Sequence, residues 1–291
     1  MHTLGLRLTL ISTLLVCLSG CATYNRIADY PTPVKSTGVT VVAKPMSKMS
    51  ELPIGAYYDP DRQIIVTGHQ KGMFAGMMFG VVGVLVADQM NKSSAASKYG
   101  DDSAKSGVDL ATIERLLITQ AVQSGIAPGW SVTATDAGLR LSPYAVFTVE
   151  KSGEARLYAM LRAEIPGADG KPSWSARYFV RAPGLHKLDG GDTWMTEGRF
   201  ETGMRTALER ATAVCIADTQ GKLTGKVKYT ASGRFAYLNT DLELRVIAVQ
   251  ESPDHVIARL AIGDAMVLAG THVLDRADYT FKTADFKDPR E

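Results

Sequence analysis

Cysteine is nearly absent from this chain: three residues in 291, at positions 17, 21 and 215. No Cys cluster is available to hold zinc. An excess of charge is missing too. Lysine plus arginine number 32 against 30 aspartate plus glutamate, a formal +2. Such a balance gives no electrostatic reason to expect nucleic acid as a partner. Catalytic signatures are equally scarce. There is no Gly-x-Ser-x-Gly elbow and no His-Glu-x-x-His metal helix. Gly221-Lys222 and Gly225-Lys226 lack the upstream glycine of a phosphate loop. His69, His186, His255 and His272 stand singly and read as ordinary loop or strand residues. The expectation is a protein that is not an enzyme, with no cofactor and no metal. A hydrolase with an unrecognised site is the catalytic alternative.

What is present begins at the N-terminus. His2 and Arg7 precede an apolar run from Leu8 through Leu18. The run is too short to span a bilayer and has the length of a signal-peptide core. Small residues follow, and the run closes on Leu18-Ser19-Gly20-Cys21. These residues resemble the lipobox of bacterial lipoproteins, and the resemblance covers residues 1–21 only. It implies cleavage before Cys21, thioether lipidation of that cysteine and acylation of the new amino terminus. Two or more acyl chains anchor stably, at about 0.8 kcal/mol per buried methylene. The next residue is Ala22 rather than Asp, which in enterobacterial lipoproteins implies passage to the outer membrane. Localisation is therefore expected at the outer membrane, lipid-anchored, on the periplasmic side. With Cys17 removed and Cys21 lipidated, Cys215 has no partner for an internal disulfide.

A second distinctive stretch is Gly72–Ala87, GMFAGMMFGVVGVLVA, which carries no charge. Gly72, Gly76 and Gly80 recur every four residues, with Gly83 close by. On a helix they form a smooth stripe that lets another backbone approach. The stretch resembles the glycine-zipper segments of several bacterial envelope lipoproteins, which implies self-association or membrane contact. Glycine costs a helix about 1 kcal/mol per residue against alanine, so packing must compensate. The other reading is a helix buried against the protein's own sheet.

Composition divides the chain further. Residues 1–20 are the expected signal peptide and 21–38 a lipidated tether. Residues 39–92 hold short strands, at Val39–Ala43 and Gln63–Thr67, and the glycine-rich apolar helix. Tyr57–Asp61 reads as a turn. Residues 93–107, small and polar, form a flexible linker. An α+β domain is expected over 108–221 and a small β domain over 222–291, although the last segment can also extend the preceding sheet.

Within 108–221, Asp109 caps a helix whose stripe is Leu110, Ile113, Leu116, Leu117 and Ala121, ended by Gly125. Alternation of period two marks strands at 139–149, 155–165 and 173–181, joined by Lys151-Ser152-Gly153 and Ala168-Asp169-Gly170-Lys171. Polar residues on the second face predict a solvated side. A helix over about 196–219 sets Phe200, Met204, Leu208, Ala211 and Cys215 on one stripe. Cys215 is thus read as a small core residue. The fold class expected is α+β: an antiparallel sheet with two helices on one face, plus the small C-terminal β domain and the glycine-rich helix near the N-terminus. The element order is similar to that of auxiliary lipoproteins of envelope transport systems, an analogy of fold alone. Over 222–291 the pattern is β throughout, with strands at Lys226–Thr230, Phe235–Leu238, Leu242–Gln250, His255–Ile262 and Thr271–Leu274.

Two places could bind. One is the loop Leu185–Asp192 with Trp194, which also reads as an ordinary strand-to-helix connection. The other is the polar sheet face, where Tyr158, Arg162, Arg177 and Arg181 suit phosphate, carboxylate or protein contact. The whole reading is a non-enzymatic, membrane-tethered binding or assembly module of the cell envelope, with an envelope protein or a second copy as partner. The alternative is a ligand-binding module for a lipid, glycan or small anion.

Overall fold

The computed structural model describes residues 30–31, 36–46, 51–53, 55–68, 107–133, 138–167, 172–260 and 266–287. Alternating β-branched and aromatic residues build its centre. β1 (Thr37–Val41), β2 (Tyr57–Asp59), β3 (Ile64–Thr67) and β4 (Trp130–Val132) are short. β5 (Leu139–Val149), β6 (Glu154–Pro166) and β7 (Pro172–Arg181) are the long antiparallel strands that the alternation predicts. β8 (His186–Lys187) continues the edge of β7 along β6. β9 (Val227–Gly233), β10 (Leu242–Glu251), β11 (His255–Leu260), β12 (Thr271–Asp275) and β13 (Thr280–Thr283) complete a single sheet. Its order is β13-β9-β10-β11-β12-β7-β6-β5-β1-β4, with β2 and β3 branching from β5. Among the described residues the molecule is mixed α and β, dominated by this sheet, with two long helices.

Those helices are α1 (Leu110–Gln123) and α2 (Arg199–Thr219). Asp109 caps α1, accepting from the amides of Ala111 at 2.9 Å and Thr112 at 3.2 Å. Gly125, at φ +74°, ends it in the left-handed region that glycine enters without strain. α2 packs on β6 and β7, and α1 on α2 and β5. The predicted stripe Phe200, Met204, Leu208, Ala211 and Cys215 is buried against Leu141, Phe147, Leu157 and Tyr178. On α1 the stripe differs from the prediction at Leu116, which is exposed; Glu114 and Ile118 are buried in its place.

The second face of β5–β7 corrects the expectation of a solvated side. Tyr144, Val146, Tyr158, Met160 and Phe179 are all buried there. They form a second apolar cluster with Ile65, Phe235, Tyr237, Val246, Val256 and Tyr279. The cover comes from Met46, Leu52 and Ala56 and from the C-terminal strands. Tyr237 donates its backbone N–H to Thr148 Oγ1 at 3.0 Å, and Tyr158 its hydroxyl to Arg234 O at 3.0 Å.

The sheet also runs through the boundary expected at 221/222. β12 pairs in parallel with β7, Thr271–Val273 against Tyr178–Val180. The C-terminal strands therefore extend the preceding sheet. Two local expectations change as well. Tyr57–Asp59 is a strand, with the turn beginning at Pro60. Phe235–Leu238 is a turn, because Tyr237 takes φ +70° and breaks the extended path.

Candidate functional site

Tyr158, Arg162, Arg177 and Arg181 do come together. Strand register sets Arg162 opposite Arg177 and Tyr158 opposite Arg181. Two guanidinium groups face to face repel unless carboxylates stand between them. Glu51 reaches in from the covering segment to pair with Arg162, and its oxygen lies 3.8 Å from Arg177 Nη2. Arg162 Nε also donates to Glu164 at 2.8 Å, and Lys44 Nζ reaches Glu164 at 2.6 Å. Burial works against the Arg162 cation, but Glu164 and Glu51 outweigh it and leave its pKa raised. Arg181 pairs with Asp278 and Arg234 with Glu150. Burial pushes the Tyr158 phenol up to about 12, so it acts as a neutral donor. The row thus joins the sheet to its cover by internal ion pairs. It presents no nucleophile and no base beside one.

The 185–194 loop is anchored in the same manner. Trp194 is buried, and its indole N–H donates to Ala155 O at 2.7 Å. His186 meets its ring edge-on at 4.8 Å. Arg199, at the start of α2, pairs with Asp192 and lies 3.4 Å from His186 Nδ1. Gly190, Gly191 and Asp192 form the exposed tip.

Beneath the helices lies a polar group that reasoning from the sequence missed. Asp218 on α2 accepts from Arg259 Nη2 at 2.6 Å and from the Tyr178 hydroxyl at 2.8 Å. All three are buried. Glu114 on α1 is buried as well, against Thr212 of α2, and burial pushes its carboxyl up to about 8, against a smaller opposing effect of the Thr212 hydroxyl. Its spacing after Leu110 and before Leu117 and Ile118 places it on the apolar stripe, a signal that was readable in the sequence. Burial also raises the thiol of Cys215 well above its ordinary value, which makes it a core residue rather than a nucleophile.

A cleft of about 270 Å³ opens between the start of α1 and the β2–β3 turn, lined by Asp61, Arg62, Gln63, Asp109 and Pro143. Arg62 is tied to Asp59 at 2.9 Å, and Gln63 donates to Pro60 O at 2.6 Å. Among the described residues no group of three or more His, Cys, Asp or Glu could hold a metal ion, and no helix is long and apolar enough to cross a membrane. Cys21 and the stripe Gly72, Gly76, Gly80 and Gly83 lie outside the described residues. Compared with known proteins, the chain matches no family model, no curated protein and no solved structure.

Proposed function

We propose that this chain is a non-enzymatic lipoprotein, tethered through Cys21 to the periplasmic side of the outer membrane, that binds or assembles with another envelope component. The observation that carries this reading is Leu18-Ser19-Gly20-Cys21 at the end of a short apolar run. Tethering confines the folded body to a surface and raises its effective concentration for a partner there. The sheet's arginines are engaged in internal ion pairs, so partner contact falls to other surfaces. Leu116, Ile126 and Val132, on α1, the loop after it and the strand that follows, are exposed large apolar side chains suited to contact with a partner. The glycine-rich stretch from Gly72 to Gly83, as a helix, adds self-association or a second hold on the membrane.

A second reading, a module for a lipid, glycan or small anion, rests on the concave cleft beside α1, lined by the polar residues Asp61, Arg62, Gln63 and Asp109.

The deciding experiment replaces Cys21 by Ala, exports the protein with a conventional cleavable signal and washes membranes with salt and carbonate. Release as soluble protein is expected if the lipid is the tether. Retention would show that another segment holds the membrane and would overturn the lipid-only tether.

A further inference from the structure

Glu114 on α1 is wholly buried against Thr212 of α2, and it makes no ion pair among the described residues. Its Oε2 has no hydrogen-bond partner. Its Oε1 lies 2.8 Å from Thr212 Oγ1, and that same hydroxyl lies 2.8 Å from Leu208 O. Among the described residues the neighbours offer no compensating charge. On α2, Cys215 is close enough to feel the carboxyl, and Asp218 beyond it is already held by Arg259 of β11 and Tyr178 of β7. Tyr30 lies within electrostatic reach of Cys215. The strands beneath α1 contribute Val39, Trp130, Leu139 and Leu141 to the same apolar cluster.

A hydroxyl has one hydrogen, and a carbonyl oxygen can only accept. Leu208 O and Glu114 Oε1 compete for that one hydrogen, so both contacts are hydrogen bonds at once only if it serves Leu208 O, the usual bond of a helical threonine to the preceding turn. The 2.8 Å contact with Glu114 Oε1 then takes its hydrogen from the carboxyl. We propose that Glu114 is held as a neutral carboxylic acid donating to Thr212, and that this proton latches α1 onto α2. The latch is graded. Between the ordinary carboxyl value of 4.5 and about 8, α1 lifted into water can lose the proton while docked α1 keeps it. Each pH unit in that window therefore favours the lifted form about tenfold; above it both forms are ionised and the effect levels off. Lifting α1 bares the apolar stripe Leu110, Ile113, Leu117 and Ile118 to water. This inference does not depend on the tether.

Cys215, wholly buried on α2, hydrogen-bonded to Tyr178 and within electrostatic reach of Glu114, is a built-in reporter. The full chain is treated with iodoacetamide from about pH 6 to about 9.5, and alkylation of the peptide containing Cys215 is read by mass spectrometry. After correction for thiolate content, labelling is expected to rise roughly tenfold per pH unit up to about pH 8 and then flatten. Glu114→Gln, which keeps the shape and cannot ionise, should remove the rise. An equal rise in both proteins overturns the latch. So does wild-type amide exchange showing β6 and β7 opening together with α1, which would mean global unfolding. Infrared spectroscopy of the wild type guards against a variant that fails to fold. A protonated-carboxyl C=O band at neutral pH, lost with a midpoint near 8, is expected; its absence at neutral pH ends the proposal.

Discussion

His272 and Glu114 pull the pH dependence of folding in opposite directions. Burial lowers the His272 pKa from 6.5 to about 4, although its Nε2 sits 2.9 Å from Leu268 O and its ring stacks on Phe179 at 4.6 Å. The folded state keeps this imidazole neutral while the unfolded chain binds a proton below 6.5, so stability falls on acidification from about 6.5 to about 4. The full loss is on the order of 3 kcal/mol. Glu114 acts the other way: its folded pKa is raised, so its contribution is complete below 4.5 and is lost as pH rises to about 8. Urea unfolding of His272→Gln should therefore show a stability gap from wild type that changes across the acid window and is constant above it. A gap independent of pH would mean that His272 titrates normally. At this scale the sequence was readable only where a stripe or an alternation located the residue. Glu114 falls on its stripe by spacing. Arg162 and Arg177 fall on their face by alternation, but Glu51, which neutralises them, comes from a distant segment, and no local pattern announces such a partner.

Elements whose cause is local were legible. The helix after Asp109 and the hairpins of β5, β6 and β7 depend on neighbours a few residues away. Gly153, at φ +88°, turns the first hairpin as a glycine there should. The strands expected at Val39–Ala43 and Gln63–Thr67 are present as β1 and β3, but pairings and turns whose cause is distant were not legible. β1 and β3 both pair in parallel with β5, a register set by long-range packing. Phe235–Leu238 has strand composition, yet Thr148 holds Tyr237 in a turn. The cap of α1 is the element-scale feature most open to test. Asp109 Oδ1 satisfies two amides that the helix leaves without partners. Asp109→Ala should cost about 1 kcal/mol, and Asp109→Asn much less. Equal urea midpoints for wild type and Asp109→Ala would show that tertiary packing alone fixes the start of α1.

Across the molecule, cohesion comes from ties between segments far apart in sequence. Arg259 of β11 reaches Asp218 of α2, and Arg210 of α2 reaches Asp275 of β12 at 2.6 Å. Arg181 of β7 meets Asp278. Under these ties the C-terminal strands roof Tyr144, Met160 and Phe179 on one side of the sheet, while α1 and α2 cover the other. A one-sided polar pattern hid this arrangement, because arginine and tyrosine are as compatible with a paired interior as with water. A buried pair such as Arg259–Asp218 is costly to break from one side, about 3–5 kcal/mol, since the other charge is left unpaired. Residues 222–291 should therefore unfold with the rest rather than as a separate unit. The three tryptophans, Trp130, Trp174 and Trp194, all precede that segment, so their fluorescence follows one part while amide exchange in β9–β13 follows the other. Coincident urea transitions are expected. A lower midpoint for β9–β13 would make the C-terminal strands an independent domain and reduce Arg259–Asp218 and its companions to incidental contacts.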